Sequence, residues 1–379
     1  MLLVVGLVGF GTIMVYSASA GLGQMQFDSG RFFLKRWVLR LAVSLVAMCL
    51  VMRVDYRLWS KLAKPLLLAG FIGLTLLLVL KLFGVGKVRG AYRWIQFPGG
   101  AFQPADLMRL ALVMFLADAL SRRQGLLTDF KKGFLPNVLV VGLAMGMIVL
   151  QPDLGTALAI GLTCTMMLYL AGARLAHLAA ACVALLPVVY FVVFVIGYRK
   201  ERVLAYLSPA DDVQGASYQV TQSLIALGSG GVTGRGLGES LQKHFFLPEP
   251  HTDFVYSIVG EELGLVGTAG LVLLFLMFAR LGFQVGRRAP DLHGFLVASG
   301  ITCMVLVYAL INMGVCTGLL PATGLPLPFI SYGGSSLLLT MVAAGILISV
   351  GRHTPVASGT MPREARQQRF FRHSQRRTI

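Results

Sequence analysis

Residues Pro65 to Leu80 read PLLLAGFIGLTLLLVL, a run in which Thr75 is the one polar side chain. A helix drawn through it has no face fit for water, and Val183 to Ile196, VALLPVVYFVVFVI, repeats the pattern. The hydrocarbon core of a bilayer takes roughly 20 residues of helix to cross. Backbone inside it must close its own hydrogen bonds, which forces those residues to be helical. With 56% of its 379 residues hydrophobic and 13% charged, the chain is expected to be an all-α polytopic membrane protein.

Working outward predicts about ten transmembrane helices. Their limits are Met1 to Ser19, Trp37 to Arg53, Leu62 to Phe83, Pro104 to Leu120, Phe134 to Leu150, Leu154 to Ala171, Leu175 to Ile196, Phe254 to Leu281, Gly294 to Thr317 and Pro328 to Val350. The first lacks the small-residue cleavage site of a secretory signal, so a retained helix is expected. Residues 1–351 form one membrane domain, with a large extracytoplasmic loop, 197–253, between helices 7 and 8. Residues 352–379 are basic and poor in aliphatic side chains, the composition of a disordered cytoplasmic tail. The shorter outer loop Gly84 to Gln103 carries Tyr92, Trp94, Ile95 and Phe97, which suit an interfacial segment.

Orientation follows from the basic residues. With the N-terminus inside, more than half of the 33 Lys and Arg residues fall on cytoplasmic segments. The remainder make the outer face unusually rich in cations, which favours an anionic partner. A net charge of +17 split between two membrane faces, with no nucleic-acid motif, points to anionic lipid or a lipid-linked phosphate and away from nucleic acid. Headgroup anchoring by snorkelling side chains is the plain alternative for any single Arg. The five cysteines have no CxxC spacing and read as small core residues, with neither a disulfide framework nor a metal site.

Reactive side chains concentrate in Leu247 to Leu263, LPEPHTDFVYSIVGEEL. Asp253 precedes the apolar run that begins at Phe254. It could cap a helix N-terminus or serve as a half-desolvated general base. Glu249 and His251 share the stretch and are candidate substrate contacts. Glu261 and Glu262 lie about 12 to 14 Å deeper on a straight helix, where interhelical pairing is the expected role. In FQPADLMR, Phe102 to Arg109, Pro104 suits a first helical turn. Asp106 and Arg109 then share one face, so Arg109 could either pair with Asp106 or reach a diphosphate. The glycine-rich Gly228 to Gly238 matches neither Walker A nor GxGxxG and is expected to be a flexible hinge. Pro326, Pro328, Gly333 and Gly334 are breakers of the kind that line a cavity or lie buried in protein.

The segments YQVTQSLIALGSGG, GLGESLQKHFFLPEPHTDFVYSIVGEELGLVG, QPDLGTA and INMGVCTGLLPATGLPLPFISYGGSS closely resemble the SEDS family of shape, elongation, division and sporulation proteins. The likeness runs from about Gly9 to Arg352 and is closer to the FtsW-like division and sporulation branch than to the RodA-like elongation branch. It implies a peptidoglycan glycosyltransferase that polymerises lipid II on the outer face of the bacterial cytoplasmic membrane. The Asp of the family's HTDF motif is then Asp253, its Arg-Trp pair Arg93 and Trp94, its Gln-Pro Gln103 and Pro104, and its basic helix residue Arg109. Three positions depart from the pattern. Asp106 stands where Glu is common, Phe245 where some relatives carry Glu, and Thr323 where some carry Lys.

On this resemblance Asp253 takes the proton of the acceptor sugar's 4-hydroxyl as that oxygen attacks the anomeric carbon of the donor. Undecaprenyl diphosphate leaves with inversion. Arg93, Arg109, Lys243 and Arg36 are the candidate cations for its charge, and a divalent cation such as Mg or Mn could share the task. Implied partners are the nascent glycan strand, a class B penicillin-binding protein with transpeptidase activity, other divisome proteins and anionic lipids. The competing readings are a lipid II flippase and a non-catalytic divisome scaffold.

Overall fold

The computed structural model describes residues 1–86, 91–97, 100–123, 125, 127, 129–195, 206, 216–243 and 246–353. The predicted tail beyond His353, much of the predicted outer loop, and Lys87, Arg89, Arg199, Lys200, Arg202 and Phe245 lie outside them. The helices are α1 (Leu2–Phe27), α2 (Phe32–Val51), α3 (Leu58–Leu82), α4 (Pro104–Arg122), α5 (Leu135–Leu150) and α6 (Leu154–Leu170). Then come α7 (Leu175–Tyr190), α8 (Ala216–Gly230), α9 (Val255–Arg288), α10 (Leu292–Cys316) and α11 (Gly334–Arg352). Between α3 and α4 a small antiparallel hairpin pairs Ile95–Phe97 with Gly100–Phe102.

The chain is a polytopic, all-α membrane protein. Among the described residues, six helical segments are long and apolar enough to cross a membrane: Leu2–Phe27, Leu58–Leu82, Phe130–Leu150, Val255–Arg288, Leu292–Cys316 and Gly334–Arg352. A helix lies over every predicted span, with shifted ends. The last starts at Gly334 instead of Pro328, because Phe329 has a φ of 68° that no helix accommodates. The sequence reading did not anticipate α8, which packs along α9 within the predicted outer loop. At the centre, α10 is buried along most of its length. Close approach to α9 is allowed by Gly282 and Gly286, which face Thr302 and Ser299, small-residue packing of the kind that holds membrane helices together.

Hydrogen bonds sort the helix ends into two opposite faces. On one, Lys81 Nζ donates to the Leu150 carbonyl at 2.8 Å, and the starts of α4 and α11 join through Gln103 N and Ser335 Oγ at 3.3 Å. On the other, Tyr56 Oη donates to Asp291 at 2.9 Å, Ser60 to Asp118 at 2.6 Å and Ser349 to the Val54 carbonyl at 2.5 Å. Burial raises the Tyr56 phenol to about 12 despite the opposing Arg57, so it remains a donor.

The glycine-rich stretch is not the expected hinge. Inside α9, Gly264 has φ 65° and ψ −159°, a break that frees backbone groups on either side. Residues 231–236 take them up. Arg235 N and Gly236 N each donate at 3.0 Å to the carbonyls of Glu261 and Glu262, while Leu265 N and Val266 N donate to Gly231 and Val232 at 2.9 and 3.1 Å. A Cβ on Gly230 would collide with the Gly260 carbonyl, and one on Gly234 with that of Glu262. Backbone lies against backbone at Gly230 and Gly234, which leaves no room for a side chain at either and ties the stretch to α9.

Candidate active site

Asp253 sits in a tight turn whose residues accept and donate among themselves. Glu249, at φ 51°, receives Thr252 N at 3.2 Å and Asp253 N at 3.3 Å on its carbonyl, and Thr252 Oγ1 at 3.2 Å on its carboxylate. The N-cap of α9 is Phe254, which brings no side-chain cap bond. The cap position thus falls one residue after Asp253, whose carboxylate is half-buried beside the Gly324 turn. There a Cβ built on Gly324 would stand 3.4 Å from Asp253 Oδ2.

The same turn is fastened to the segment before α11. Tyr332 N donates to the His251 carbonyl at 2.8 Å. The buried His251 ring packs against Phe33 and Tyr332, with centroids 5.1 and 5.3 Å away. Glu249, His251 and Asp253 thus form one corner, lined by the start of α2 and the lead into α11.

Arg93, Gln103 and Arg109 gather in a second, adjoining cluster. Asp153, buried at the N-cap of α6, accepts Gln103 Nε2 at 3.2 Å and pairs with Arg93 at 3.7 Å. Arg93 Nε also donates to the Gln151 carbonyl at 3.2 Å. Ser335 Oγ donates to Asp106 at 2.7 Å and accepts from Gln103 N. Arg109 pairs with Asp106 at 3.6 Å, donates to Ser336 and Thr340 at 3.2 and 2.9 Å, and lies 4.5 Å from the centre of the Tyr308 ring. At 3% exposure it braces α4 against α11 and does not present its charge outward. Of the two options expected for Arg109, the pair with Asp106 is formed here.

One turn joins the two clusters. A Cβ on Gly155, in the first turn of α6, would meet Thr323 Cβ at 2.8 Å, and Thr323 adjoins the Gly324 that faces Asp253. The start of α6, whose Asp153 pairs with Arg93, therefore touches the segment that lies against Asp253.

Lys243 and Arg36 are drawn elsewhere. Lys243 is buried and pairs with Glu262 at 3.0 Å; its Nζ also donates to Ser17 Oγ and to the Gly238 carbonyl. Ser17 Oγ donates to Glu262 at 2.5 Å, so this ammonium ties α1 to α9 and does not stand free for a diphosphate. Glu261 is likewise satisfied, by Ser240 Oγ and the backbone N–H groups of Leu241 and Gln242. Structural pairing is the role expected of both glutamates. Arg36 is exposed and lies over the Phe32 ring at 4.3 Å. One turn on, Arg40 lies 4.9 Å from the centre of the Tyr332 ring, and a Cβ on Gly334 would be 3.5 Å from its Nε. Arg40 is the cation of α2 turned toward the corner.

Sequence reasoning missed Arg40 and Asp153. The second had a signal, since QPDLG sets a carboxylate directly before an apolar run, the position of an N-cap.

The model of the cell cycle protein family that groups FtsW, RodA and SpoVE matches residues 1–355. The chain belongs to this family. It is 44% identical to a probable peptidoglycan glycosyltransferase FtsW of Geobacter metallireducens over 92% of this chain and 93% of that one. It is also 44% identical to stage V sporulation protein E of Bacillus subtilis, over 92% and 94% of the two chains. Among solved structures, a chain of a peptidoglycan synthase complex described as coordinating polymerization and crosslinking superposes with a TM-score of 0.73 at 29% identity, covering 93% of this chain and 97% of that one. RodA of Thermus thermophilus superposes with a TM-score of 0.68 at 27% identity, over 94% and 96%. This FtsW/RodA/SpoVE member gathers, among its described residues, no group of three His, Cys, Asp or Glu that could hold a metal ion.

Proposed function

We propose that the chain is a peptidoglycan glycosyltransferase that polymerises lipid II, with Asp253 as general base and guanidinium groups stabilising the undecaprenyl diphosphate leaving group. The observation that carries this is the Thr323–Gly324 turn, which touches both the Asp253 carboxylate and the α6 terminus that holds Arg93. Proton removal from the acceptor hydroxyl and charge relief at the leaving oxygen have to occur on opposite sides of one anomeric carbon. Arg93 and Arg40 are the cations for the diphosphate; Arg109 supports them by fixing the start of α11. Glu249 and His251 shape the acceptor side, and Gln103 holds Asp153 beside Arg93. A Mg or Mn ion would be bound chiefly by the diphosphate oxygens.

The ten helices over the predicted spans are read as crossing the bacterial cytoplasmic membrane, with the Asp253 face outward. Support comes from Arg53, Arg57, Arg122, Arg288 and Arg352, which stand at helix ends on the opposite face. Residues 1–351 are the membrane domain and the basic tail follows in the cytoplasm. The working partner is a class B penicillin-binding protein within a division or sporulation complex, with anionic lipid on the inner surface.

A flippase would draw on the broken helix at Gly264, as transporters do. Here the freed backbone groups are already bonded to residues 231–236 and line no path. The deciding experiment compares parent and Asp253→Asn protein, each bound to its transpeptidase, on labelled lipid II. Glycan polymer from the parent and none from the folded variant is expected; equal polymer from both removes Asp253 as the base. A flipping assay with acceptor-blocked lipid II, in which nothing moves, excludes the transporter.

A further inference from the structure

We propose that Asn312 is a positioning residue that sets the Asp253 carboxylate against the Gly324 turn, an inference that rests on Asp253 being the base. Asn312 lies in the last turns of α10, 1% exposed, in a helix otherwise buried among apolar neighbours. Its amide nitrogen has two hydrogens, and both are spent on backbone carbonyls from different parts of the chain. One goes to Asp253 O at 2.7 Å, the other to Leu325 O at 2.8 Å. A single planar group therefore fixes the distance between the turn that carries the base and the residue after Gly324.

The neighbourhood reinforces the clamp. Cys316, one turn along α10, directs its Sγ at the same Asp253 carbonyl at 3.8 Å and at Asn312 Oδ1 at 4.0 Å. The Cys316 carbonyl accepts from Ser223 Oγ of α8 at 2.7 Å, and Ser223 meets Ser257 of α9 at 2.5 Å. The end of α10 is thus anchored on the helix that follows Asp253 as well as on Asp253 itself. No other side-chain type does this in the same space, because the task needs two N–H donors on one short arm. Leu has the bulk without donors, and Asp would set oxygens against two carbonyl oxygens.

Catalysis by proton transfer depends on placement to within a fraction of an ångström, and a shift of about 1 Å can cost on the order of 100-fold. The test uses full-length protein in complex with its transpeptidase, with rates referred to the folded, complex-bound fraction so that lost folding does not register as lost turnover. Asn312→Leu and Asn312→Asp are each expected to lower kcat about 10- to 100-fold while KM for lipid II stays within about twofold. The acid limb of the kcat/KM profile, which reports the free enzyme's base, is expected to move in both. A purely structural role would lower the folded fraction and leave the turnover of folded molecules and the acid limb unchanged, and that result overturns the proposal. Asp253→Asn is measured alongside. If it polymerises, the base assignment fails and takes this inference with it; if it is inactive while both Asn312 variants keep parental kcat, the inference alone is wrong.

Discussion

The Asp253 carboxylate and Gly324 are in van der Waals register: a side chain begun on Gly324 would stand 3.4 Å from Oδ2, and the residue itself holds a φ of 76°. Glycine is required for the left-handed backbone, and a methyl group there would lie in contact with the acid. Gly324→Ala should cost about 1–2 kcal/mol in backbone strain and reduce polymerisation by far more than that loss of stability explains. Thermal unfolding and lipid II polymerisation, measured on one preparation, separate the two. Parental turnover in the Ala variant would mean that nothing reactive needs the room.

Lys243 and Glu262 offer a sharper choice between roles. Removing one partner of a buried ion pair typically costs about 3–5 kcal/mol, whereas replacing both with apolar groups is often close to neutral. Lys243→Met should therefore lose folded protein, and Lys243→Met combined with Glu262→Leu should regain most of it together with polymerase activity. A stable but inactive double variant would return Lys243 to the diphosphate.

How far the sequence disclosed this molecule depends on where each partner lies. Apolar runs such as Pro65–Leu80 disclose helices because lipid leaves no alternative, and Pro104 marked the start of α4 through its missing N–H. The corner at Glu249, His251 and Asp253 was legible because its members are neighbours in the chain. What stayed hidden depends on backbone carbonyls, which look alike at every residue. Nothing in Asn312 announces Asp253 O and Leu325 O, and nothing in GSGGVTGRGLG announces that its backbone completes a break at Gly264. The pair of Lys243 with Glu262 is shared by Ser17, far away in the chain and itself without any motif.

Asp153 separates binding from folding. As N-cap of α6 it accepts Thr156 N at 3.3 Å, a task Asn performs about as well. Its charge, however, is what holds Arg93. Asp153→Asn keeps the cap but leaves Arg93 without its carboxylate, so it should lower stability by less than the roughly 3–5 kcal/mol of a fully buried pair, Arg93 being partly exposed. Its KM for lipid II should rise roughly tenfold, since one misplaced cation forfeits about 1.4 kcal/mol of donor binding. An unchanged KM would detach Arg93 from the diphosphate.

Gly264 makes the strongest claim about architecture. Its φ of 65° with ψ of −159° belongs to a region that is essentially glycine's alone, and a Cβ there would strike Gly234 N and the Val232 carbonyl. Gly264→Ala must either straighten α9 or expel residues 231–236. Each course strands backbone donors and acceptors at the break, at about 1–3 kcal/mol for every buried group left unpaired. Loss of folded protein is the expected outcome, with added protease cleavage within 228–238 in whatever survives. Since Asp253 begins the segment that ends at this break, a folded Gly264→Ala protein with parental cleavage resistance and parental polymerisation would show that the glycine clasp does not set the position of the acid.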